Sequence, residues 1–462
     1  MRILISSWLA LSLAACSVEQ VQPEVPEFSH SSFQSDGFRP EQSWWTSFED
    51  PQLSIFIEKG LKQNQDFRAA FYRLQQSQAA WDAGGSGQYP SLNATLERSQ
   101  SQTGSTDAST VTTDSWSAGL SASYELDFWG SIAAQKEQGQ FNYLASEAAL
   151  RTMSNTVAGE ITKAWYGWML EREKLALLAQ QEQRIEASLK AVQGRYARGQ
   201  VTVSDIWQQQ QTLESLTGET ALSKRKLEIY KQTLALWLSM TSQELADVLI
   251  QRSSLPTSLT SVTSVSSDAL QSRPDVVAAY FDLQSAVAGL SIAQSNRYPR
   301  FTLTASYSGS DENFANIFDN WASNLAAGLL LPVIDGGALR AEVRRNEAVV
   351  KEKIATYKQA LLTAAQEVEE SLVSEEQQMV YVTSLQKQLA LAQKTQGFQE
   401  RRYRKGVGDF IDMSNAQQTV LQLERQVLDA RWQQLQYRIQ LYRALAQGVT
   451  QTVEDEQAEG KS

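Results

Sequence analysis

The chain is poor in side chains that do covalent or metal chemistry. Among 462 residues there is one cysteine, Cys16, and one histidine, His30. A zinc site needs several His or Cys ligands, and an activated nucleophile needs a base beside it. One of each supplies neither, and the chain has no Gly-x-Ser-x-Gly elbow. The sequence therefore predicts no catalytic residues, no metal site and no cofactor. His30 lies in a Ser-rich stretch and reads as loop. The repeated chemistry is electrostatic. Arg195-Tyr196-Ala197-Arg198-Gly199 is followed by Asp205, and Arg402-Tyr403-Arg404-Lys405-Gly406 by Asp412, at a constant offset of 207 residues. Asp409 stands beside the second copy. A glycine ending a long polar helix is a C-cap, so Gly199 and Gly406 read as tips of two helical hairpins. Asp205 and Asp412 then fall where N-caps or first-turn acids complement the returning helices.

The chemistry open to Cys16 is acylation. Met1-Arg2 is a short charged start, Ile3 to Leu13 is mostly apolar, and Leu13-Ala14-Ala15-Cys16 closes the run. Residues 1–15 read as a secretory signal peptide, too short for a membrane span. The ending resembles a bacterial lipobox, which would place a covalent lipid such as palmitate on Cys16. The competing reading is a coincidental cysteine in an ordinary signal peptide. Ser17, rather than Asp, favours the outer membrane. The net charge of −11 argues against a nucleic-acid partner. After the signal no stretch approaches about 18 uninterrupted apolar residues, so spanning is expected from β-strands alone.

The charged tips need long elements to position them. Residues 17–43 are rich in Pro, Ser, Glu and Gln and read as a tether. Asp50-Pro51 opens a helix that runs from Leu53 to about Trp81 and stops at Gly84-Gly85-Ser86-Gly87, before Tyr89-Pro90. Residues 91–99 and 115–127 change to period two. Trp116, Ala118, Leu120, Ala122, Tyr124 and Leu126 alternate with Ser115, Ser117, Gly119, Ser121, Ser123 and Glu125, giving one apolar and one small polar face. The Ser-, Thr- and Gln-rich residues 100–114 between them read as an exposed loop. From about Phe128 to Arg198 nothing breaks a helix of about 105 Å. A second helix returns over about Ser204–Leu238, and residues 251–268 read as linker.

The plan then repeats. Asp66, Ala70, Leu74, Tyr89 and Pro90 match Asp275, Ala279, Leu283, Tyr298 and Pro299 at an offset of 209. Strands are expected at Phe301–Ser308 and about Ala322–Leu331, a long helix over Leu339–Lys405, and a return helix over Phe410–Gln447. The domains expected are a signal peptide (1–15), lipidated tether (16–43), a segment at 44–60, repeat 1 (61–268, tip 199–204), repeat 2 (269–447, tip 406–409) and a loose tail (448–462). The fold class is mixed α and β, mostly α. Four alternating strands cannot close a barrel, since bacterial barrels begin at eight, so several copies must contribute. Trp116 and Trp321 towards the loops, with Phe128 and Trp129 at the helix side, are placed like interfacial girdles.

These residues resemble the TolC-like outer-membrane efflux channels, in their OprM-like (NodT-type) lipoprotein branch. The resemblance is carried by the lipobox at Cys16, Trp44-Trp45-x-x-Phe48-x-Asp50-Pro51-x-Leu53, Asn64-x-Asp66-x-x-x-Ala70, Leu126-Asp127-Phe128-Trp129-Gly130, Arg273-Pro274-Asp275, Asp335-Gly336-Gly337 and both Arg-Tyr-x-x-Gly tips. It implies a homotrimer with a twelve-stranded β-barrel in the outer membrane and a periplasmic α-helical tunnel, ringed by an equatorial region from about 40–60, 239–268 and the C-terminal residues. The implied function is passive export of small molecules, delivered by a proton-driven inner-membrane pump through a periplasmic adaptor, with outer-membrane lipid around the barrel. A type I secretion channel and a structural coiled-coil lipoprotein of the envelope are the alternatives.

The resemblance also implies roles at the tips. They would form the periplasmic entrance, with the Gly199 tip facing the adaptor and the Gly406 tip serving as gate. Asp412 matches an aspartate that forms a ring at the constriction, where carboxylates attract cations. Tyr403 and Asp205 match positions that bond between neighbouring helix pairs and hold the entrance closed, although plain packing at a helix end would also explain Tyr403. The sequence departs from the best-known channel in two places. Asn415 replaces a second ring aspartate, and Gly408 replaces a locking arginine, with Asp409 nearby as a possible substitute.

Overall fold

A computed structural model describes residues 33–34, 43–105, 108–249, 255–256 and 265–445. Cys16, His30, the signal peptide, almost all of the tether, much of the linker and the C-terminal tail lie outside the described residues. The elements in order are β1 (Phe33–Gln34), α1 (Pro51–Gln63), α2 (Gln65–Gly85), β2 (Ser91–Ser105), β3 (Ala108–Leu126), α3 (Ser131–Tyr196), α4 (Val203–Trp237), α5 (Ser242–Val248), β4 (Val265–Ser266), α6 (Ser267–Gln271), α7 (Pro274–Ser295), β5 (Arg300–Asp311), β6 (Trp321–Leu330), α8 (Ala338–Arg404) and α9 (Phe410–Leu445). The chain divides into two compact units, and both long helices contribute to each.

The first unit holds residues 72–147 and 277–359. Its antiparallel sheet has the order β2-β3-β5-β6. The register gathers the apolar positions into shared rows. Leu126 faces Phe301, which faces Leu329, and Ala122 faces Ala305, which faces Leu325. The intervening rows are small and polar, as in Ser121, Ser306 and Asn324. From Leu126 to Trp116 the apolar face runs about 33 Å along the strand, which stands roughly 25 Å tall at barrel tilt, the height of an outer-membrane apolar band. Aromatic pairs close both ends. Phe128 meets Phe301 at 4.9 Å and Trp129 stacks on Tyr298 at 4.7 Å, while Trp116 meets Phe314 at 5.3 Å and Tyr307 stacks on Trp321 at 5.6 Å at the other end.

The sheet corrects one expectation. Residues 100–105 and 108–114 are strand, not loop, because the β2–β3 ladder continues past Arg98–Trp116 through Gln102–Thr112 and Thr103–Val111. Ser, Thr and Gln suit a ribbon that water solvates on both faces, so composition alone could not separate strand from loop. The β3–β5 ladder begins only at Trp116–Asp311.

Both exits from the sheet are built alike. Asp127 Oδ2 accepts from Ala133 N at 2.8 Å, with Gly130 at φ +73°. Asp335 accepts from Gly337 N at 2.9 Å and Leu339 N at 2.7 Å, with Gly336 and Gly337 at positive φ. Those backbone bonds hold the Asp335 carboxyl below the usual carboxylate range. Each aspartate thereby satisfies donors at the start of a long helix. By length and composition α7 alone among the described helices could cross a membrane, against the expectation of none. Its Leu283 and Leu290 are buried within the protein, and Asp282 pairs with Lys353 at 3.6 Å, so it serves as a packed helix.

The second unit holds the remaining described residues. Its core is formed by Trp44, Leu53, Phe56, Ile57, Ile161, Trp165 and Tyr166. The helix expected from Leu53 to Trp81 is two helices. Asn64 ends α1, its Oδ1 accepts from Phe67 N at 3.0 Å to cap α2, and its Nδ2 donates to Trp237 O at 3.1 Å. Arg273 donates to Asp275 at 2.8 Å, to Glu367 at 2.8 Å and to Ala444 O at 2.9 Å. Burial alone would raise the Asp275 pKa, but hydrogen bonding and the charge of Arg273 outweigh it and hold the carboxyl low.

The long helices are coiled-coil helices by pattern. On α8, Tyr357, Leu361, Ala364, Val368, Ser371, Glu375, Val382 and Leu385 are all buried, and with the half-buried Gln378 they follow alternating spacings of four and three. The polar members of that seam are paired, Glu375 with Arg438 on α9 and Gln378 with Ala430 O. On α3, Leu178, Ile185 and Val192 recur every seven residues, each at most 1% exposed. Helices of 66 and 67 residues reach about 100 Å.

Candidate functional site

The two tips turn through the same hydrogen bonds. At the first, Gly199 N donates to Tyr196 O at 2.8 Å and Gln200 N to Arg195 O at 3.0 Å. At the second, Gly406 N donates to Tyr403 O and Val407 N to Arg402 O, both at 3.1 Å. Gly199 and Gly406 lie at φ +69° and +74°, so both turns are Schellman motifs, whose left-handed residue favours glycine.

Their tyrosines differ. Tyr196 is 48% exposed, whereas Tyr403 is 9% exposed and packs with Val192, Phe410 and Met413, flanked by Val201 and Ile206. Arg195 crosses from the first copy to the second. Its guanidinium lies 4.1 Å over the Tyr403 ring and donates to Tyr403 O at 3.2 Å and Arg404 O at 3.5 Å. The equivalent Arg402 donates instead to Val407 O at 3.1 Å, within its own turn. Tyr403 Oη is buried with no hydrogen-bond partner.

The carboxylates also divide. Asp205 is half-buried in the first turn of α4, and its Oδ2 accepts from Thr202 N at 2.9 Å in a capping box. Within the chain no bond joins it to Tyr403, whose hydroxyl has no partner. Asp412 is exposed in the first turn of α9, and Asn415 is exposed one turn further on. Asp409 is exposed just before α9. At Gly408 a Cβ would lie 2.8 Å from Arg402 Cβ and 3.2 Å from the Arg402 backbone carbon. The turn therefore leaves no room for the arginine of the best-known channel.

Behind the tips α3 meets α9 through a polar ladder. Gln181 donates to Leu421 O at 3.0 Å and to Glu424 at 2.8 Å, Arg184 also binds Glu424, and Lys174 binds Asp429 at 2.9 Å. Exposed carboxylates, buried apolar contacts and ion pairs can attract cations and hold helices together. The role of Arg195 was not readable from the sequence. Its only mark there is the duplicated Arg-Tyr pair, and the pairing runs across the copies rather than within one.

A sheet with a lipid-height apolar band, joined to paired coiled-coil hairpins, defines an outer-membrane channel. The chain belongs to the outer membrane efflux protein family, whose model matches residues 56–238 and 265–447. The two matches are displaced by the same 209 residues that relate the internal repeats. The chain is 31% identical over 415 residues to the pyoverdine export outer membrane protein OpmQ of Pseudomonas aeruginosa, covering 88% of this chain and 87% of that protein. It is 25% identical over 457 residues to the cation efflux system protein CusC of Escherichia coli (strain K12), covering 95% and 98%. Among solved structures, the outer-membrane channel OprN superposes with a TM-score of 0.85 at 20% identity, over 94% of this chain and 99% of that one. The protein is thus an efflux channel subunit of the outer membrane.

Proposed function

We propose that three copies close one twelve-stranded barrel in the outer membrane, and that their hairpins form a periplasmic tunnel through which small molecules leave the cell. A proton-driven inner-membrane pump supplies the energy and a periplasmic adaptor meets the tips. Cys16 carries the lipid that anchors each copy. The observation that carries this reading is the four-stranded sheet. It has a lipid-height apolar band and two open edges, and one chain cannot close it. The relatives' names mention different cargoes, pyoverdine and cations. That variety favours a passive conduit whose range is set by its pump.

In the same reading the Gly406 tip is the gate. Asp412, exposed at the start of α9, supplies a ring of carboxylates that draws cations to the opening. Asp409 stands at the turn beside it. Purified protein in planar bilayers should conduct, prefer cations, and migrate in gels as a heat-dissociable trimer. A monomer without conductance would remove the proposal and return the coiled-coil lipoprotein to consideration. Export of a peptide substrate, rather than small molecules, in cells carrying the neighbouring transport genes would favour the type I secretion alternative.

A further inference from the structure

We propose that Arg195 is the positioning residue that holds the second hairpin's tip against the first, and thereby sets how readily the entrance opens. The inference rests on the reading of these tips as a gate.

The guanidinium makes two kinds of contact with the last turn of α8. It covers the Tyr403 ring at 4.1 Å, and it donates to the carbonyls of Tyr403 and Arg404. The last carbonyls of a helix lack intrahelical donors, and a cation there also complements the helix dipole. The Tyr403 ring also packs edge-on to Phe410 at 5.9 Å. Tyr403 therefore touches both a residue of the first hairpin and the start of α9. Arg402, its equivalent in the second copy, closes its own turn instead. The duplicated arginines have diverged, one serving its own tip and the other bridging the two.

No other polar contact of the tyrosine can do this work. Asp205 is occupied by the capping box of α4. The Tyr403 hydroxyl is buried and unpartnered within one chain, so in this arrangement a neighbouring copy cannot reach it. If the tip swung outward, that hydroxyl would gain water while the Arg195 contacts were lost. The ring and the guanidinium hold the tip in, and the hydroxyl opposes them.

The test is single-channel recording of the full-length lipidated protein in planar bilayers. Arg195→Ala should raise the open fraction about fivefold. Arg195→Lys, which keeps a charged donor but not the flat stack, should fall between the two. Tyr403→Leu, which removes the ring but keeps the backbone carbonyls, should fall between the parent and Arg195→Ala, and the double variant should open no more than Arg195→Ala alone. Tyr403→Phe, which keeps the ring and removes the buried hydroxyl, should open no more than the parent. Heat-dissociable trimers report folding. If Arg195→Ala fails to assemble, Arg195→Lys and Tyr403→Phe decide on the same criteria. A parental open fraction in Arg195→Ala, additive effects in the double variant, or a leaky Tyr403→Phe would overturn the proposal. Asp412→Asn separates the two readings. If it changes ion preference while Arg195→Ala leaves gating unchanged, the gate stands without this catch. If neither variant changes conduction, the gate reading falls as well.

Discussion

Asp50 Oδ2 accepts a hydrogen bond from the indole Nε1 of Trp165 at 2.9 Å, across 115 residues of chain. Its Oδ1 meanwhile accepts from Gln52 N at 3.0 Å and Leu53 N at 3.3 Å, capping α1. One carboxylate thus starts a short helix and fixes it to the long helix α3. Around it Phe48 packs on Tyr166 and Tyr442 at 5.6 Å, and Phe56 packs on Trp165 at 5.2 Å. Asp50→Ala removes the cap and leaves a buried indole donor unpaired. We expect a loss of about 2–4 kcal/mol, measured by denaturant unfolding followed through tryptophan fluorescence. Asp50→Asn should lose less, since its amide oxygen can still accept.

The pair between Glu375 and Arg438 lies towards the end of the α8–α9 seam remote from the tip, with the arginine side chain 1% exposed. Removing Glu375 takes away the carboxylate that balances the buried guanidinium. Glu375→Ala should destabilise by about 3–5 kcal/mol. The double variant Arg438→Met with Glu375→Leu should be much closer to the parent in thermal unfolding.

Asp205 and Asp412 occupy equivalent positions but should respond differently. Asp205→Ala loses a capping box and should lower stability by about 1 kcal/mol without altering ion preference. Asp412→Asn should leave stability nearly unchanged and lower the cation-to-anion permeability ratio, read from reversal potentials under a salt gradient.

Gly408 and Gly406 resist substitution for separate reasons. Alanine at Gly406 meets open space but must hold a positive φ, at about 1 kcal/mol. Alanine at Gly408 has no such strain but meets Arg402. Gly408→Arg should therefore disorder the turn rather than restore a lock. Faster protease cleavage at the tip would report this.

Acid should weaken the second unit through Asp275. Its folded pKa lies below the ordinary value, so the stability it contributes is present above about pH 4 and is lost as pH falls through the folded value. Asp275→Asn should flatten that limb of a stability-against-pH curve.

Much of this architecture was legible because its signals are long. The proline-free heptads placed the ends of α3, α4, α8 and α9 within a few residues, and the period-two runs located all four strands. The 209-residue offset revealed the repeat before any fold was drawn. The break at Asn64 was hidden because an asparagine within a helical pattern reads as an ordinary surface residue. The ribbon at 100–114 was hidden because its order comes from pairing, not composition. At the tips the sequence marked the two turns, at Gly199 and Gly406. It offered the helix start as one reading of Asp205, which the capping box fits, but it could not tell that Tyr403 would be partnered by an arginine from the other repeat.

The open edges of β2 and β6 bear on how the protein is made. A chain arriving alone carries two rows of backbone donors and acceptors that neither water nor lipid can satisfy within the bilayer. Insertion and association must then be a single event, with a rate that rises steeply with the local supply of chains. A copy with a damaged edge strand would also spoil every ring that accepted it. Such alleles should behave as dominant poisons, whereas alleles that abolish synthesis should be recessive.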